Sequence, residues 1–380
     1  MESKGKKQQN IAHFNNKLLV NLLIQEPLSC IELAEKTKLT HTSTKRIVDR
    51  LLNMNLIKPY VDPNAKKSRG RQHFRYEINA KRAYFACVSF QHSNEFLAIF
   101  DLMGNNVYME RFESGMVDNE VIDRLIEKLK GVLKRKRIPL ELLAVISVAI
   151  PGRADSENGN IIVSSKIQKD VNLKERFKSD FPSSLVYVNN DSDFGCLYSI
   201  LSEEFDYGKG VHLYLFIDAG VSCCVVFDRK IILGSNGFGG EIGMNRIDGN
   251  NKRLHDTIGT YEMLLFCRKV TGNKDFSLSK LAAASEKYPE IKNRLNEEAR
   301  FLGITICNLV NVLGCSHIIF SGTISKYPSF FFDSFLKELK NTNYSEKISY
   351  KIDFSNSEEP EKGQLMLARL NALDWVMEQY

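Results

Sequence analysis

Continuous apolar runs alternate with helical patterns through most of the chain after residue 82. Two of the longest runs, LLAVISVAIPG and SLVYVNND, end in Pro-Gly or in polar residues, and a third reads HLYLFIDAGVSCCVVF. Apolar positions at helical spacing predict helices near 119–134, 261–270, 290–313 and 363–378. Strands that are apolar on both faces and separated by helices are typical of an α/β domain.

The region before residue 56 has a different pattern, which predicts two short helices joined by a tight turn. The first begins after Ser29, with Glu32 at the third helical position, and this spacing is that of a capping box. Thr40 suits the cap of a second helix, whose apolar residues recur at helical spacing through HTSTKRIVDRLLNM, and Asn55 is a good left-handed stop.

A basic hairpin is predicted directly after these helices. The stretch KKSRGRQHFR carries five Lys or Arg and no carboxylate. The alternation of Phe74, Tyr76 and Ile78 with polar residues predicts a strand with one buried face. Helix, turn, helix and basic hairpin is the order of a winged helix-turn-helix, in which the second helix enters a major groove of DNA. A charged solvated loop and a structural helical adaptor are the alternatives.

Several residues of this unit are candidates for DNA contact. Hydroxyls bind several bases or a phosphate, whereas Lys and Arg favour guanine or phosphate, so these types suit DNA without specifying a sequence. Thr44 falls on the apolar face and is predicted to be core. The predicted DNA-binding residues are His41, Thr42, Ser43, Lys45 and Arg46 on the helix and Arg69, Gly70 and Arg71 on the wing.

The charge distribution supports the same division of the chain. Residues 1–82 hold 17 of the 52 Lys and Arg but only 7 of the 46 Asp and Glu, so the cation excess is entirely N-terminal. This asymmetry indicates a nucleic-acid module attached to a mildly acidic body.

Composition also predicts the compartment. The start MESKGKKQQN lacks the apolar core of a signal peptide, and no stretch offers roughly 20 uninterrupted apolar residues, so we expect a cytoplasmic protein without a membrane partner. The eight cysteines show no CxxC spacing and mostly lie in apolar runs, which favours buried thiols over disulfides or zinc ligands.

Polar residues at the ends of buried strands are candidates for ligand binding. Asn190 and Asp191 follow SLVYV, and an amide beside a carboxylate suits sugar hydroxyls, which donate and accept together. Glu241 lies in the glycine-rich segment GFGGEIG, where small neighbours permit close approach of a ligand. A strand-terminating turn and a solvent-facing glutamate are the alternative readings.

In their order and spacing, AIPG, NNDSD, GGEIG, GTYE and FSGTIS resemble the ROK family of sugar-sensing repressors and sugar kinases, and SRGRQ resembles the wing of its repressors. The resemblance spans nearly the whole chain. It implies an α/β fold with an N-terminal winged helix-turn-helix and a two-lobed, actin-like (ribonuclease H-like) body. The implied domains are a head at 1–82 and a body at 83–380, with a first lobe at 83–188 plus about 363–380 and a second lobe at 189–362.

The chain departs from the kinases of this family at the phosphate-binding segments. Ser89 stands where the kinases have an Asp, Ser222 and Cys224 replace two glycines after Gly220, and Ser321 replaces one of the paired glycines near the nucleotide. Asp191 matches the catalytic base of the kinases. Side chains obstruct the close backbone approach that binds phosphates, so we predict no catalytic residues and no cofactor.

The zinc site of the family is also incomplete, whereas its sugar-contacting carboxylates are kept. Met244, Arg253 and Thr260 stand at three ligand positions, His255 stands at the fourth, and we expect no bound metal. The predicted effector-binding residues are Asn190, Asp191, Glu241 and, from GTYE, Glu262.

These inferences predict a transcriptional regulator of carbohydrate-utilisation genes, expected to be a repressor. Its predicted partners are operator DNA, a carbohydrate-like effector and further copies of itself in a homodimer or homotetramer. The alternatives are a sugar kinase with a DNA-binding head and a DNA-bound oligomeric protein without an effector.

Overall fold

The structure is a computed structural model of the 380-residue chain. It describes residues 4–61, 74–92, 94–155, 158–202, 205, 207–234, 237–247, 251–315, 317–341, 351–355 and 359–379. Within these residues no helix combines the length and apolar character that crossing a bilayer requires.

The N-terminal region is a helical unit with a small sheet, in which β3 pairs antiparallel with both β1 and β2. Its elements are α1 (Lys4–Gln25), β1 (Leu28–Ser29), α2 (Cys30–Thr37), α3 (His41–Asn53), β2 (Ile57–Pro59) and β3 (Arg75–Ile78). The predicted helix pair and hairpin strands are therefore present. Helix α1 was not predicted, because its first half, KGKKQQN, is almost wholly polar and masks the pattern of NKLLVNLLIQ.

The next region contains a five-stranded mixed sheet in the order β10-β7-β4-β5-β6. Strand β4 is antiparallel to β5 and parallel to β7, which is parallel to β10. The elements are β4 (Tyr84–Gln91), β5 (Asn94–Asp101), β6 (Asn106–Arg111), α4 (Asn119–Lys136), β7 (Leu143–Ile150), β8 (Gly152–Ala154), β9 (Ile161–Ser164), α5 (Leu173–Asp180) and β10 (Leu185–Asn190).

The remaining chain builds a second five-stranded sheet in the order β13-β12-β11-β14-β15. Its first strand, β11, is antiparallel to β12 and parallel to β14, which is parallel to β15. The elements are α6 (Asp191–Leu201), β11 (Val211–Ile217), β12 (Val221–Phe227), β13 (Lys230–Ile231), α7 (Thr260–Thr271), α8 (Leu281–Lys287), α9 (Pro289–Leu313), β14 (His317–Ser321), α10 (Ser329–Leu339), β15 (Lys351–Phe354) and α11 (Glu359–Glu378).

Both sheets have the same plan. In each, the first strand is central, a meander of two antiparallel strands lies on one side, and two parallel strands lie on the other. The body is therefore a structural duplication with two α/β halves, as the two-lobed expectation requires. The predicted domain boundaries at 82, 188 and 362 stay a prediction.

Helix α11 packs against both the N-terminal unit and the first sheet. Its Ala372 and Val376 belong to the same buried cluster as Leu19 of α1 and Phe85 of β4. One continuous apolar core thus joins the head to the body, so that the head does not hang from a free linker.

Candidate DNA-binding head and effector cleft

The first turns of α2 and α3 have the caps that the sequence predicts. The Ser29 side chain accepts from Glu32 N at 3.3 Å, and Glu32 Oε2 accepts from Ser29 N at 2.7 Å. Thr40 Oγ1 accepts from Ser43 N at 3.2 Å. These bonds satisfy backbone N–H groups that a helix start otherwise leaves without partners, and they define where α3 begins.

Helix α3 separates an apolar face from a polar one. Thr44, Ile47, Val48 and Leu51 are buried, and Thr44 is core as predicted. The five candidate DNA-binding residues of the helix lie on its other faces: His41, Thr42, Lys45 and Arg46 are exposed, and Ser43 is half-buried. An N-terminal helix turn with exposed hydroxyls and cations has the chemistry to contact bases and phosphates.

The strands of the predicted wing lie beside these helices. Arg75 of β3 forms an ion pair with Glu32 of α2 at 2.6 Å, which links this strand to the helix pair. Phe74 was expected on the buried face but is 70% exposed, because β3 begins only at Arg75 and the ladder does not extend to Phe74. Arg69, Gly70 and Arg71 lie outside the described residues.

The four predicted effector-binding residues line a single cavity of about 980 Å³. Asn190 ends β10 and Asp191 begins α6, Glu241 follows the glycine pair of the loop after β13, and Glu262 lies in the first turn of α7. Residues up to 72 positions apart thus meet because strands and helices of both halves end at the same cleft. Their assignment to an effector stays a prediction.

Asn190 caps α6. A structural role at the end of the strand was the alternative to ligand binding for this residue. Its Oδ1 accepts from Ser192 N at 2.8 Å, and its Nδ2 donates to Gly152 O at 2.7 Å. An amide has two N–H donors, so one hydrogen remains for a ligand. The capping role and a ligand contact are therefore compatible.

Asp191 is the carboxylate whose ionisation the cleft alters most clearly. Burial raises its pKa to about 7, and the nearby carboxylates Asp218 and Asp193 act in the same direction, whereas the bond from Ser192 N opposes them. Near neutral pH the group therefore exists in both protonation states, and it can accept from or donate to a hydroxyl.

Glu241 has a partner that the sequence did not predict. Arg153 of β8 is almost fully buried, and it donates from Nε to Glu241 Oε1 at 2.7 Å and from Nη1 to Asp193 Oδ2 at 2.5 Å. Burial raises the pKa of Asp193, although Arg153 opposes the shift. Only part of the Glu241 carboxylate remains for a ligand. The sequence signal that could have indicated this partner is an arginine directly after the Pro-Gly end of a buried strand.

Glu262 presents a more accessible carboxylate. It is exposed in the cavity wall, and α7 is held there because Thr260 donates from both N and Oγ1 to Asp218 O at 2.8 Å each. The neighbouring Tyr261 and the loop residue Met244 line the same cavity. The cleft thus combines the three predicted carboxylates and those of Asp218 and Asp256 with an apolar wall.

The substituted phosphate-binding segments have structural roles that compete with phosphate binding. Ser89 is buried; its Oγ donates to Asn94 O at 2.9 Å and accepts from Gln91 N at 3.3 Å, closing the β4–β5 turn. The His255 ring covers Gly220 so closely that a Cβ there would lie 2.7 Å from His255 Cε1. The His255 ring therefore occupies the space over Gly220, where the resemblance to the kinases places a phosphate.

The positions of the family's zinc ligands do not fit the metal. Arg253 is ion-paired with Asp256 at 3.1 Å and donates to Met244 Sδ at 3.7 Å, so two of the four positions contact each other as a cation and a thioether. Thr260 is occupied by the bond to Asp218. Among the described ranges, no three His, Cys, Asp or Glu side chains are grouped as metal ligands.

A family model described as "ROK family" matches residues 92–368. Among curated proteins, the xylose repressor of Caldicellulosiruptor bescii is 24% identical over 356 residues, which are 86% of either chain. The dual regulator NagC of Escherichia coli K12 is 22% identical over 327 residues, which are 79% of this chain and 78% of that protein. The repressor Mlc of the same organism is 24% identical over 264 residues, 66% of this chain and 64% of that protein.

Solved structures share the fold over different lengths. A ROK family transcriptional regulator, a homologue of E. coli Mlc, aligns with a TM-score of 0.73 at 19% identity and covers 97% of this chain and 99% of its own. The ROK hexokinase of Thermus thermophilus aligns with a TM-score of 0.58 at 15% identity, and covers 77% of this chain and 99% of its own. The kinase fold therefore leaves nearly a quarter of this chain unmatched.

Proposed function

The chain belongs to the ROK family, and we propose that it is a transcriptional repressor of carbohydrate-utilisation genes whose DNA affinity changes when a sugar or sugar derivative binds in the cleft. The main support for this proposal is the share of the chain that each solved structure covers. The regulator structure covers 97% of the chain and the kinase structure 77%, and this difference of about a fifth of the chain is similar in length to the proposed head at 1–82.

The proposed DNA interface consists of the exposed residues of α3 together with the wing. A helix start that offers hydroxyls and cations contacts base edges, and a basic wing contacts the phosphate backbone or minor groove. The excess of 17 cations over 7 anions within residues 1–82 supplies the nonspecific attraction. The DNA partner proposed here is an operator duplex.

The proposed effector is carbohydrate-like. The matched repressors are named for xylose and N-acetylglucosamine, which are compounds with several neighbouring hydroxyls. Asp191, Glu241 and Glu262 accept from hydroxyls, and the remaining Asn190 N–H donates to one. Ser89 and the cover of His255 over Gly220 disfavour a bound phosphoryl donor, which argues against the alternative of a sugar kinase with a DNA-binding head.

Helix α11 provides a physical route from the cleft to the head. Near its start, Gly363 packs on α6, the helix that begins with Asp191, so closely that a Cβ would lie 1.8 Å from Phe194 O. Near its end, Asp374 pairs with Lys17 of α1 at 2.7 Å. An effector that shifts α6 therefore displaces α11, and with it the head. Such coupling requires the effector to prefer one arrangement over the other.

We further propose that the protein is cytoplasmic and acts as a homodimer or homotetramer, since two heads related by symmetry read a palindromic operator. The domains used in this proposal are the head at 1–82 and the body at 83–380. Size-exclusion chromatography with light scattering, with and without operator DNA, tests the oligomeric state, and a monomer under both conditions would contradict it.

The function is tested in two steps on the full chain. Duplexes selected from a random pool should share a sequence, and Thr42→Ala or Lys45→Ala should change that sequence. D-xylose, D-glucose and N-acetyl-D-glucosamine are then titrated while DNA binding is followed by fluorescence anisotropy. We expect at least one sugar to change the DNA affinity, and Asp191→Ala and Glu241→Ala to weaken its binding by on the order of 1–3 kcal/mol each.

Glu120→Ala, at an exposed position at the start of α4, is the matched control and should behave as the wild type. ATP consumption in the presence of these sugars would support the kinase alternative. Sequence-independent DNA binding that no sugar alters would support the third reading, an oligomeric DNA-bound protein without an effector.

A further inference from the structure

The cleft wall has an apolar feature that the proposed hydrogen bonds to sugar hydroxyls do not involve. Tyr261 is 57% exposed and Met244 is 48% exposed, and both line the cavity that contains Asp191, Glu241 and Glu262. Single exposed apolar residues on a convex surface are ordinary. A tyrosine and a methionine in a concave wall, each within three residues of a predicted sugar-binding carboxylate, indicate a ligand surface.

Both side chains lie on segments that other contacts hold in place. Tyr261 follows Thr260, whose N and Oγ1 both donate to Asp218 O, so the start of α7 is anchored to the end of β11. Met244 ends a single 3-10 turn, and its sulfur accepts from Arg253, which is itself paired with Asp256. A surface built on anchored backbone loses little entropy when a ligand binds.

The volume of the cavity also indicates a ligand larger than one sugar ring. Its volume of about 980 Å³ lies at the upper end of the roughly 300–1,000 Å³ typical of sites for drug-sized ligands. A single pyranose is much smaller than such a ligand. If one sugar ring binds the carboxylates, the space beside Tyr261 and Met244 remains open for a second group.

We infer that Tyr261 and Met244 form a second subsite that accepts another sugar ring, so that the effector is a disaccharide or the end of a longer oligosaccharide. This inference rests on the proposed function. The C–H faces of a pyranose are apolar while its rim is polar, so the ring can stack on the tyrosine face and contact the flexible thioether. The first ring keeps its hydrogen bonds to the carboxylates.

The test compares each monosaccharide with its glycosides on the full-length protein. D-xylose, D-glucose and N-acetyl-D-glucosamine are measured by isothermal titration calorimetry beside xylobiose, cellobiose and N,N′-diacetylchitobiose. Their p-nitrophenyl glycosides serve as aryl surrogates for the second ring. We expect at least one disaccharide to bind tenfold or more tightly than its monosaccharide, a difference of about 1.4 kcal/mol.

Substitutions test whether the tighter binding of the disaccharide depends on the second subsite. Tyr261→Ala and Met244→Ala should each remove most of the gain and leave monosaccharide affinity unchanged, and Tyr261→Phe should retain it because the ring remains. Leu265→Ala is the matched control: it lies one turn further along α7 and is 41% exposed, but it is not among the described residues that line the cavity.

The possible results separate the two proposals. Equal affinities for monosaccharides and glycosides, or a gain that survives Tyr261→Ala, would overturn the second subsite and leave the proposed function intact. Binding of no sugar in the panel would count against both.

Discussion

Arg153 Nε lies 2.7 Å from Glu241 Oε1, and this ion pair joins β8, the short strand directly after β7, to the glycine-rich loop of the second half. The same guanidinium neutralises Asp193 at the start of α6. The cleft is therefore bridged by protein groups at the position where the sequence predicted a free sugar-binding carboxylate.

Replacing Arg153 by Met should destabilise the protein, because Asp193 and Glu241 would lose their shared cation in a largely buried site. Breaking a buried pair typically costs about 3–5 kcal/mol. Urea unfolding of Arg153→Met measures the loss. Arg253→Met removes an exposed pair with Asp256 and should change stability little. Equal stability of the two variants would show that the Arg153 bridge is not structurally important.

Asp191 should make stability depend on pH. Its pKa is about 7 in the folded protein and roughly 3.9 in an unfolded chain, so between these values the folded state keeps a proton that the unfolded state has released. The contribution of Asp191 to the free energy of unfolding is therefore fully present below about pH 4 and is lost as the pH rises through 7.

Asp191→Asn removes this dependence. Relative to wild type, the variant should gain on the order of 2 kcal/mol between pH 4 and pH 8, less than the full pKa shift implies because the carboxyl is partly exposed to the cleft. Thermal and urea unfolding of both proteins across this range measure the difference, and comparing the two cancels the other titrating groups. A difference that does not vary with pH would contradict the raised pKa.

The wing should bind DNA through phosphate charge. Arg69→Ala with Arg71→Ala should weaken binding to most sequences and reduce the slope of log affinity against log salt by roughly 1 for each lost contact. Anisotropy titrations at several salt concentrations provide the slope. The control is Lys134→Ala with Lys136→Ala at the exposed end of α4, which removes two cations from the body. The same slope for wild type and the wing variant would exclude the wing as a phosphate contact.

Purified protein should contain no stoichiometric zinc and should not consume ATP with hexoses or amino sugars. The reasons are the Met244, Arg253 and Thr260 substitutions at ligand positions and the groups that occupy the phosphate-binding segments. Elemental analysis and a coupled ATPase assay measure the two properties. About one zinc per chain, or a turnover abolished by Asp191→Asn, would disprove the corresponding half of this prediction.

The sequence predicted local structure where short-range chemistry decides it. The Ser29–Glu32 capping box, the Thr40 cap and Asn55 with its φ of 56° depend on residues within a few positions of one another. The buried strands could also be predicted, since strands that are covered on both faces have continuously apolar sequences. The order of motifs also identified the family, which the match over residues 92–368 confirms.

Tertiary structure alone decided which of these elements meet. The two halves share one strand order although no sequence period marks the duplication, because backbone pairing is compatible with many side chains. Helix α1 was missed because burial in the core that it shares with α2, α3 and β3 stabilises a segment with little amphipathic signal of its own. Phe74 proved exposed because β3 begins at Arg75, one residue later than the alternation predicts.

For the cleft, the sequence alone determined the residue types: three carboxylates and an amide at a strand end, in a glycine-rich loop and at a helix start, and the substitutions at the positions of the family's phosphate and zinc contacts. Their convergence on one cavity, and the Arg153 bridge that occupies part of Glu241, were decided only by the fold. The reason is physical. Caps and strand patterns arise from neighbours along the chain, whereas an ion pair between residues 88 positions apart exists only once packing has brought two halves together.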